Sequence, residues 1–169
     1  MITAPISVGE LIDKLSILQV KKRKIIEDQK LEYINKEFEM LYNLSAGYLN
    51  HQEIENSFHE LVEVNSTLWD VEDKLREYEK IKSFPQHFIE LARKVYYTND
   101  KRFEIKNKIN EMSNSEIREQ KSYQEYDKIN DIEEPKETRY IYESPDGGKT
   151  VYRRLFGEPH DKRELVNNG

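Results

Sequence analysis

Two long seams of three-four spacing, the second interrupted by Thr98 and Arg102, constrain this chain more than any other feature. Leu61, Val64, Leu68, Val71, Leu75 and Tyr78 step by three and four, and so do Phe88, Leu91, Val95, Thr98, Arg102, Ile105, Ile109 and Met112. That alternation keeps one side of an α-helix facing a partner, whereas a strand would alternate every second residue. It predicts two long helices, from about Ile54 to Ile81 and from about Gln86 to Met112. Ser83-Phe84-Pro85 breaks the chain between them. Pro85 suits a first helical turn and Ser83 can cap it. Long helices joined by so short a turn should lie antiparallel.

The segment ahead of these helices reads as helical too. Ser7-x-x-Glu10 is a capping box, in which Ser7 accepts from an amide of the first turn and Glu10 reaches back. Val8, Leu11, Leu15, Leu18, Lys22 and Ile25 form one stripe, while Ile6, Ile12, Ile17, Val20 and Ile26 lie off it. A helix that is apolar on more than one face belongs between neighbours, so this one should fill the groove of the helical hairpin. The register slips near Glu27-Asp28-Gln29, where a break and a stutter in one long helix both fit. A further helical stretch carries Leu31, Ile34, Phe38 and Leu41 on one side and should end at Ser45-Ala46-Gly47, with Gly47 as a left-handed cap.

Beyond Met112 the helical pattern fades. Ser115 can cap a short helix to about Tyr126, and residues 131–137 read as an acidic linker. Tyr140-Ile141-Tyr142 and Thr150-Val151-Tyr152 flank a Pro-Asp-Gly-Gly turn, a hairpin signal. The expected organisation is a helical bundle over 1–128, a linker over 129–139, a β-hairpin over 140–156 and a disordered tail over 157–169. The fold class is all-α: an antiparallel long-helix bundle or coiled-coil hairpin with a small C-terminal β-hairpin.

Composition narrows the function classes. Charged residues make up 36% of the 169-residue chain, with few Gly and Pro, a balance typical of helical, coiled-coil-rich proteins. The net charge of −6 disfavours general nucleic-acid binding, which usually goes with a basic surface. With no cysteine, disulfides, thiolate catalysis and cysteine-based zinc sites are excluded. No stretch approaches the roughly 20 apolar residues of a membrane span, and the N-terminus has no signal-peptide pattern. The expected setting is the cytoplasm.

The chemistry-bearing positions lie beside the seams. On the helical wheel Asn65, Trp69, Glu72 and Arg76 form one ridge at the edge of the third helix's seam, while Glu63, Asp70 and Lys74 point to solvent and Asp73 is intermediate. On the fourth helix Asn99, Arg102, Lys106 and Asn110 lie on or beside the seam. An Arg at a core-type position needs a carboxylate, because an unpaired buried charge costs several kcal/mol, and Asp13 on the first helix can supply one. Asp13, Asn65, Trp69, Glu72, Arg76, Asn99, Arg102 and Lys106 are thus the candidate polar network. Three readings stay open: an ion-pair layer that fixes helix register, a ligand or catalytic pocket between helices, and plain surface exposure.

Other patterns carry less. His51, His59, His87 and His160 make neither a His-Glu-x-x-His nor a Glu-x-x-His pattern, so zinc-protease and di-iron ligand sets are missing. His59-Glu60-x-x-Glu63 has cation-binding spacing, which exposed helices often show by chance. Gly147-Gly148-Lys149-Thr150 lacks the upstream glycine and following helix of a phosphate loop. Tyr140, Tyr142 and Tyr152, with Lys149, Arg153 and Arg154, suit a small packing face better than a base-stacking platform. No catalytic residue, metal ligand or cofactor is identified.

The blocks "SVGELIDKLSILQVKKRKI", "VNSTLWDVEDKLREYE", "FIELARKVYYTNDKRFEIKNKINE" and "EQKSYQEY" resemble, in order over residues 5–126, a small bacterial family of unknown function, DUF6165. The resemblance implies a helical domain and suggests a surface-polysaccharide setting. It carries over no catalytic residue. "YIYESPDGGKTVYRR" is similar to the ending of short proteins from marine cyanobacterial phages, which implies a phage-encoded copy acting in an infected host. MazG-type pyrophosphohydrolases hold Mg²⁺ with paired carboxylates. Glu60-x-x-Glu63 and Asp70-x-x-Asp73 resemble these, but the fourth helix offers Arg93, Asn99-Asp100 and Arg102 instead of an acidic pair. Ile12-Asp13 and the basic run 21–24 faintly resemble AroQ-type chorismate mutases, without the downstream pattern.

The expectation is therefore a helical interaction or scaffold module, self-associating or binding a protein partner. The competing expectation is a binder of, or enzyme on, a nucleotide or nucleotide-sugar, with Arg76, Arg102 and Lys106 on phosphate and Glu72 or Asp73 on Mg²⁺.

Overall fold

The computed structural model describes residues 3–122, 140–144, 150–155 and 159–168. The chain divides into two compact units, Met1–Gln124 and Glu125–Gly169.

The first unit holds four helices: α1 (Val8–Lys24), α2 (Asp28–Leu49), α3 (Gln52–Lys80) and α4 (Gln86–Met112). The two seams pack against each other. Leu61, Val64 and Leu68 of α3 and Ile105 and Ile109 of α4 join Ile12 of α1 and Ile54 in the core, with Val8, Leu49, Phe58, Val95 and Met112 packed around them. Helix α1 is the central element, in contact with α2, α3 and α4. Its two apolar faces explain this, for Ile12, Leu15, Leu18 and Val20 are all buried.

Of the two readings open near Glu27-Asp28-Gln29 the structure shows the break, since Ile25 takes an extended conformation at the α1 C-cap. Other local details differ from the sequence reading. Helix α2 does not stop at Gly47 but runs on to Leu49. It is capped by its own backbone, as Asn50 N–H donates to the carbonyls of Ala46 and Tyr48. Pro85, not Ser83, is the N-cap of α4, without a side-chain cap. The amide of Ser83 instead closes the end of α3 on the Tyr78 carbonyl. Over 115–122 no helix forms. The backbone leaves α4 through Asn114 at φ 51°, and the amide of Ser115 donates to the Asn110 carbonyl.

The second unit contains an antiparallel sheet, β1 (Tyr140–Glu143), β2 (Thr150–Leu155) and β3 (Glu164–Asn168), in the order β1-β2-β3. The hairpin partners are Ile141 with Arg154 and Tyr142 with Arg153. The third strand falls where a disordered tail is expected from composition. It pairs with β2 through Tyr152–Leu165 and Arg153–Glu164, with a bulge at Val151/Tyr152. Charged contacts accompany both pairings: Arg154 Nε donates to Glu143 at 2.8 Å across β1–β2, and across β2–β3 the Arg153 guanidinium lies 3.3 Å from Glu164. The acidic linker and the Pro-Asp-Gly-Gly turn lie outside the described residues.

Candidate functional site

The polar groups expected at the helix seams meet where α1 crosses α3 and α4. Asp13 is buried, and its side chain is only 3% exposed. Arg102 of α4 grips it with two parallel hydrogen bonds, Nε to Oδ1 at 2.8 Å and Nη2 to Oδ2 at 2.6 Å. A planar fork meeting a carboxylate in this way is the strongest ordinary ion-pair geometry. Asn65 of α3 donates its side-chain amide to Asp13 Oδ1 at 3.0 Å and to Ser16 Oγ at 2.8 Å. The Ser16 hydroxyl in turn donates to the Asp13 carbonyl at 2.7 Å. Asn99, one turn before Arg102, donates to the Val95 carbonyl, and its Oδ1 lies 3.5 Å from Arg102 Nη1. The bond with Asp13 raises the pKa of Arg102 against the opposing effect of burial, so the guanidinium stays charged at any ordinary pH.

A second polar cluster lies one turn away. Lys106 is buried, and its ammonium lies 2.6 Å from both Glu10 of α1 and Glu119 of the segment after α4. Burial pulls the Lys106 pKa down, but its bonds with the two carboxylates outweigh this and the net shift is upward. For Glu119 burial acts to raise the pKa, and the Lys106 ammonium reverses it to a net lowering. The capping box is therefore half made: Ser7 Oγ accepts from the Glu10 amide at 3.1 Å, while the Glu10 carboxylate turns to Lys106. Asn110 completes the end of α1, its Oδ1 accepting from the Gly9 amide at 2.7 Å. A Cβ on residue 9 would stand 2.5 Å from the Lys106 carbonyl oxygen and 2.9 Å from Asn110 Oδ1, so the approach of α1 to α4 requires glycine there.

Of the eight candidate residues, Asp13, Asn65, Asn99 and Arg102 are linked in one network, and Lys106 belongs to the neighbouring cluster. Trp69 is half-buried. Glu72 and Arg76 do not enter the layer. They pair with each other at 2.8 Å on the surface, where the Arg76 side chain is 67% exposed. The reason is the length of α1. It ends at Lys24, whose ammonium lies 2.6 Å from Asp70 Oδ1, so the α3 ridge beyond Trp69 has no α1 to face. Ser16 and Glu119 are absent from the sequence-derived set. Ser16 was legible in principle, because Gly9, Asp13, Ser16 and Val20 step by four, three and four as a second, polar seam.

The layer is chemically closed. Both Asp13 oxygens are engaged by donors, and among the described residues every buried side-chain nitrogen and oxygen has a hydrogen-bond partner. Among them, too, no group of three or more His, Asp or Glu side chains is arranged to hold a metal ion, and no helix is long and apolar enough to cross a membrane.

The model of the family of unknown function DUF6165 matches residues 2–135, and the chain belongs to that family. The match spans all four helices and ends before β1. No curated protein and no solved structure matches the chain.

Proposed function

We propose that this DUF6165 chain is a helical interaction module that holds a protein partner on its bundle, and that the Asp13–Arg102 layer serves to fix the helices in register. The observation that carries this reading is α2. Of its 22 residues only Ile34 and Ser45 are buried, while Tyr33, Met40, Tyr42, Leu44 and Tyr48 are exposed. Large apolar side chains grouped on one helix mark a surface that another molecule covers. The satisfied layer supports the same reading from the other side, since a ligand would have to displace an ion pair that already neutralises Asp13. The phage-like tail favours a phage-encoded copy working in the cytoplasm of an infected bacterium.

A thermal-shift panel tests the reading against the nucleotide or nucleotide-sugar alternative. With Mg²⁺, nucleotides and nucleotide-sugars at millimolar concentration, the melting temperature should stay within about 1 °C, since a ligand at 100 times its Kd would add about 2.7 kcal/mol. A stabilisation that disappears in Lys106→Ala and Arg102→Met would overturn the module reading in favour of a ligand site.

A further inference from the structure

We infer that the partner of α2 is a second copy of this chain, docked antiparallel on the C-terminal half of the helix around Leu44 and Gly47. This inference rests on the module reading above and names its partner. Three independent observations on α2 converge.

The first is exposure at helical spacing. Met40, Leu44, Gly47 and Tyr48 lie within an arc of about 100° on the wheel, with Tyr33 in line about two turns before Met40. Leu44 is 67% exposed, Tyr33 76%, and Met40 42%. Ile34, Leu41 and Ser45, which face the bundle, lie about a quarter turn away. The arc is therefore a face distinct from the one α2 uses to pack on its own chain.

The second is Gly47. It sits in the last turn of α2, and glycine weakens a helix relative to alanine. Among the described residues nothing stands within 4 Å of the position a Cβ would take, so no contact among them calls for glycine. Gly9 is the contrasting case, a glycine that its own chain requires, with Lys106 and Asn110 pressing on it. A helix from outside the chain, lying across Ala46-Gly47 and beside Leu44, supplies the missing reason, because glycine lets two helices approach closely.

The third is charge. Residues 40–52 contain no Asp, Glu, Lys or Arg, the longest such run in the chain, although the whole carries a net charge of −6. Two copies of so acidic a protein repel each other, and an isologous contact sets each patch against itself. A patch without formal charge is the surface on which that contact meets least repulsion. Antiparallel pairing centred on Leu44 also directs Lys36 of each copy toward the C-terminal end of the other's α2, beyond which Gln52-Glu53 begin α3.

Size sets the strength. One face of a helix about 33 Å long supplies less than the about 800 Å² per partner of a standard interface, so the dimer should dissociate in the micromolar range. Sedimentation velocity and light scattering on the full chain, from about 1 to about 200 µM, test this. The expected result is a monomer–dimer equilibrium that Leu44→Lys and Gly47→Leu each weaken about tenfold or more. Circular dichroism should show both folded, since both positions face solvent. Gly47→Ala should raise the melting temperature of the monomer by roughly 3 °C. A monomer at every concentration overturns the inference, whatever other molecule covers the face. So does a dimer whose Kd ignores either Leu44→Lys or Gly47→Leu. A monomer leaves the module reading to a different partner, whereas a ligand at Lys106 and Arg102 sinks that reading whatever mass is found.

Discussion

Arg102→Met is the most direct test of the polar layer. The substitution keeps an unbranched stem and most of the volume of the side chain and removes the two bonds of 2.8 and 2.6 Å to Asp13. Asp13 then remains as a carboxylate in the core, with Asn65 as its side-chain donor. Removing one partner of a buried ion pair costs about 3–5 kcal/mol. Arg102 is itself 26% exposed while Asp13 is 3% exposed, so water reaches the arginine end of the pair and the cost should fall near the lower limit, about 3 kcal/mol. Asp13→Leu strands the arginine instead, which can swing toward solvent, and about 2 kcal/mol is expected. The pair replaced together, Asp13→Leu with Arg102→Met, leaves no charge behind. Its loss should be at least about 1–3 kcal/mol smaller than the sum of the single losses. Urea denaturation followed by circular dichroism measures all four proteins at constant m-value. If each single change costs under about 0.5 kcal/mol and the effects add, the layer holds nothing in register, and Asp13 is an incidental buried charge.

Three further outcomes follow from the same geometry. Gly9→Ala forces a methyl onto the Lys106 carbonyl and the Asn110 amide and should cost about 2–4 kcal/mol in urea denaturation, as overpacking and a lost buried hydrogen bond together. Trp69→Ala should cost about 2 kcal/mol, less than the 3–5 typical of fully buried aromatics, because the ring is half-exposed; circular dichroism rather than fluorescence reads it. The segment after α4 should open with pH in a definite direction. Glu119 is shifted below its ordinary value of 4.5, so its contribution is complete above pH 4.5 and is lost as pH falls through the lower, folded value. Lys106 is shifted above 10.5, so its contribution is complete below pH 10.5 and is lost as pH rises beyond it. The protection of the Val8 amide against hydrogen exchange, relative to its intrinsic rate, should therefore stay high between these limits, since that amide donates to Ser115 Oγ at 3.3 Å, and Glu119→Gln should lower it at neutral pH.

The helices were legible in the sequence because their seams are long, and periodicity over many turns outweighs local accidents. The break at Ile25, the continuation through Gly47 and the loop after Met112 were not, because each depends on a few residues whose preference the tertiary structure overrides. Gly47 is tolerated in the last turn of α2, where Leu49 packs against the core. Ser115 caps no helix of its own segment: its hydroxyl accepts from the Val8 amide of α1 and donates to the Ile117 carbonyl. The same distinction divides the site. The Asp13–Arg102 contact followed from charge logic, an arginine on a seam requiring a carboxylate on a facing seam. The inclusion of Glu72 and Arg76 failed because the wheel gives direction around a helix but not where along it the neighbour stops. Only the length of α1, ending beside Asp70, decides that.

Register is the quantity these contacts share. Gly9, Asp13 and Ser16 lie on one side of α1, and Asn99, Arg102, Lys106 and Asn110 on one side of α4. The pairs run in opposite directions: Gly9 with Asn110, Glu10 with Lys106 and Asp13 with Arg102. A slip of α1 by one turn, about 5.4 Å, would keep its apolar residues near apolar partners but separate all three pairs. It would also set the Asp13 carboxylate away from its arginine inside the core and push a bulkier residue against the backbone where Gly9 now fits. An apolar interface alone would tolerate that slip far better. On the register reading proposed above, the cost of burying the ion pair is met by specificity, the best-attested use of such groups. Among the described residues helix α2 has no comparable device. Its links to α1 include the half-exposed pair Lys14–Glu37 at 2.7 Å and the Lys22 ammonium 4.3 Å from the Phe38 ring centroid, and exposed contacts of that kind contribute at most about 1 kcal/mol each. The bundle is locked along α1, α3 and α4 and least constrained at α2, and that is the helix carrying the uncovered apolar face.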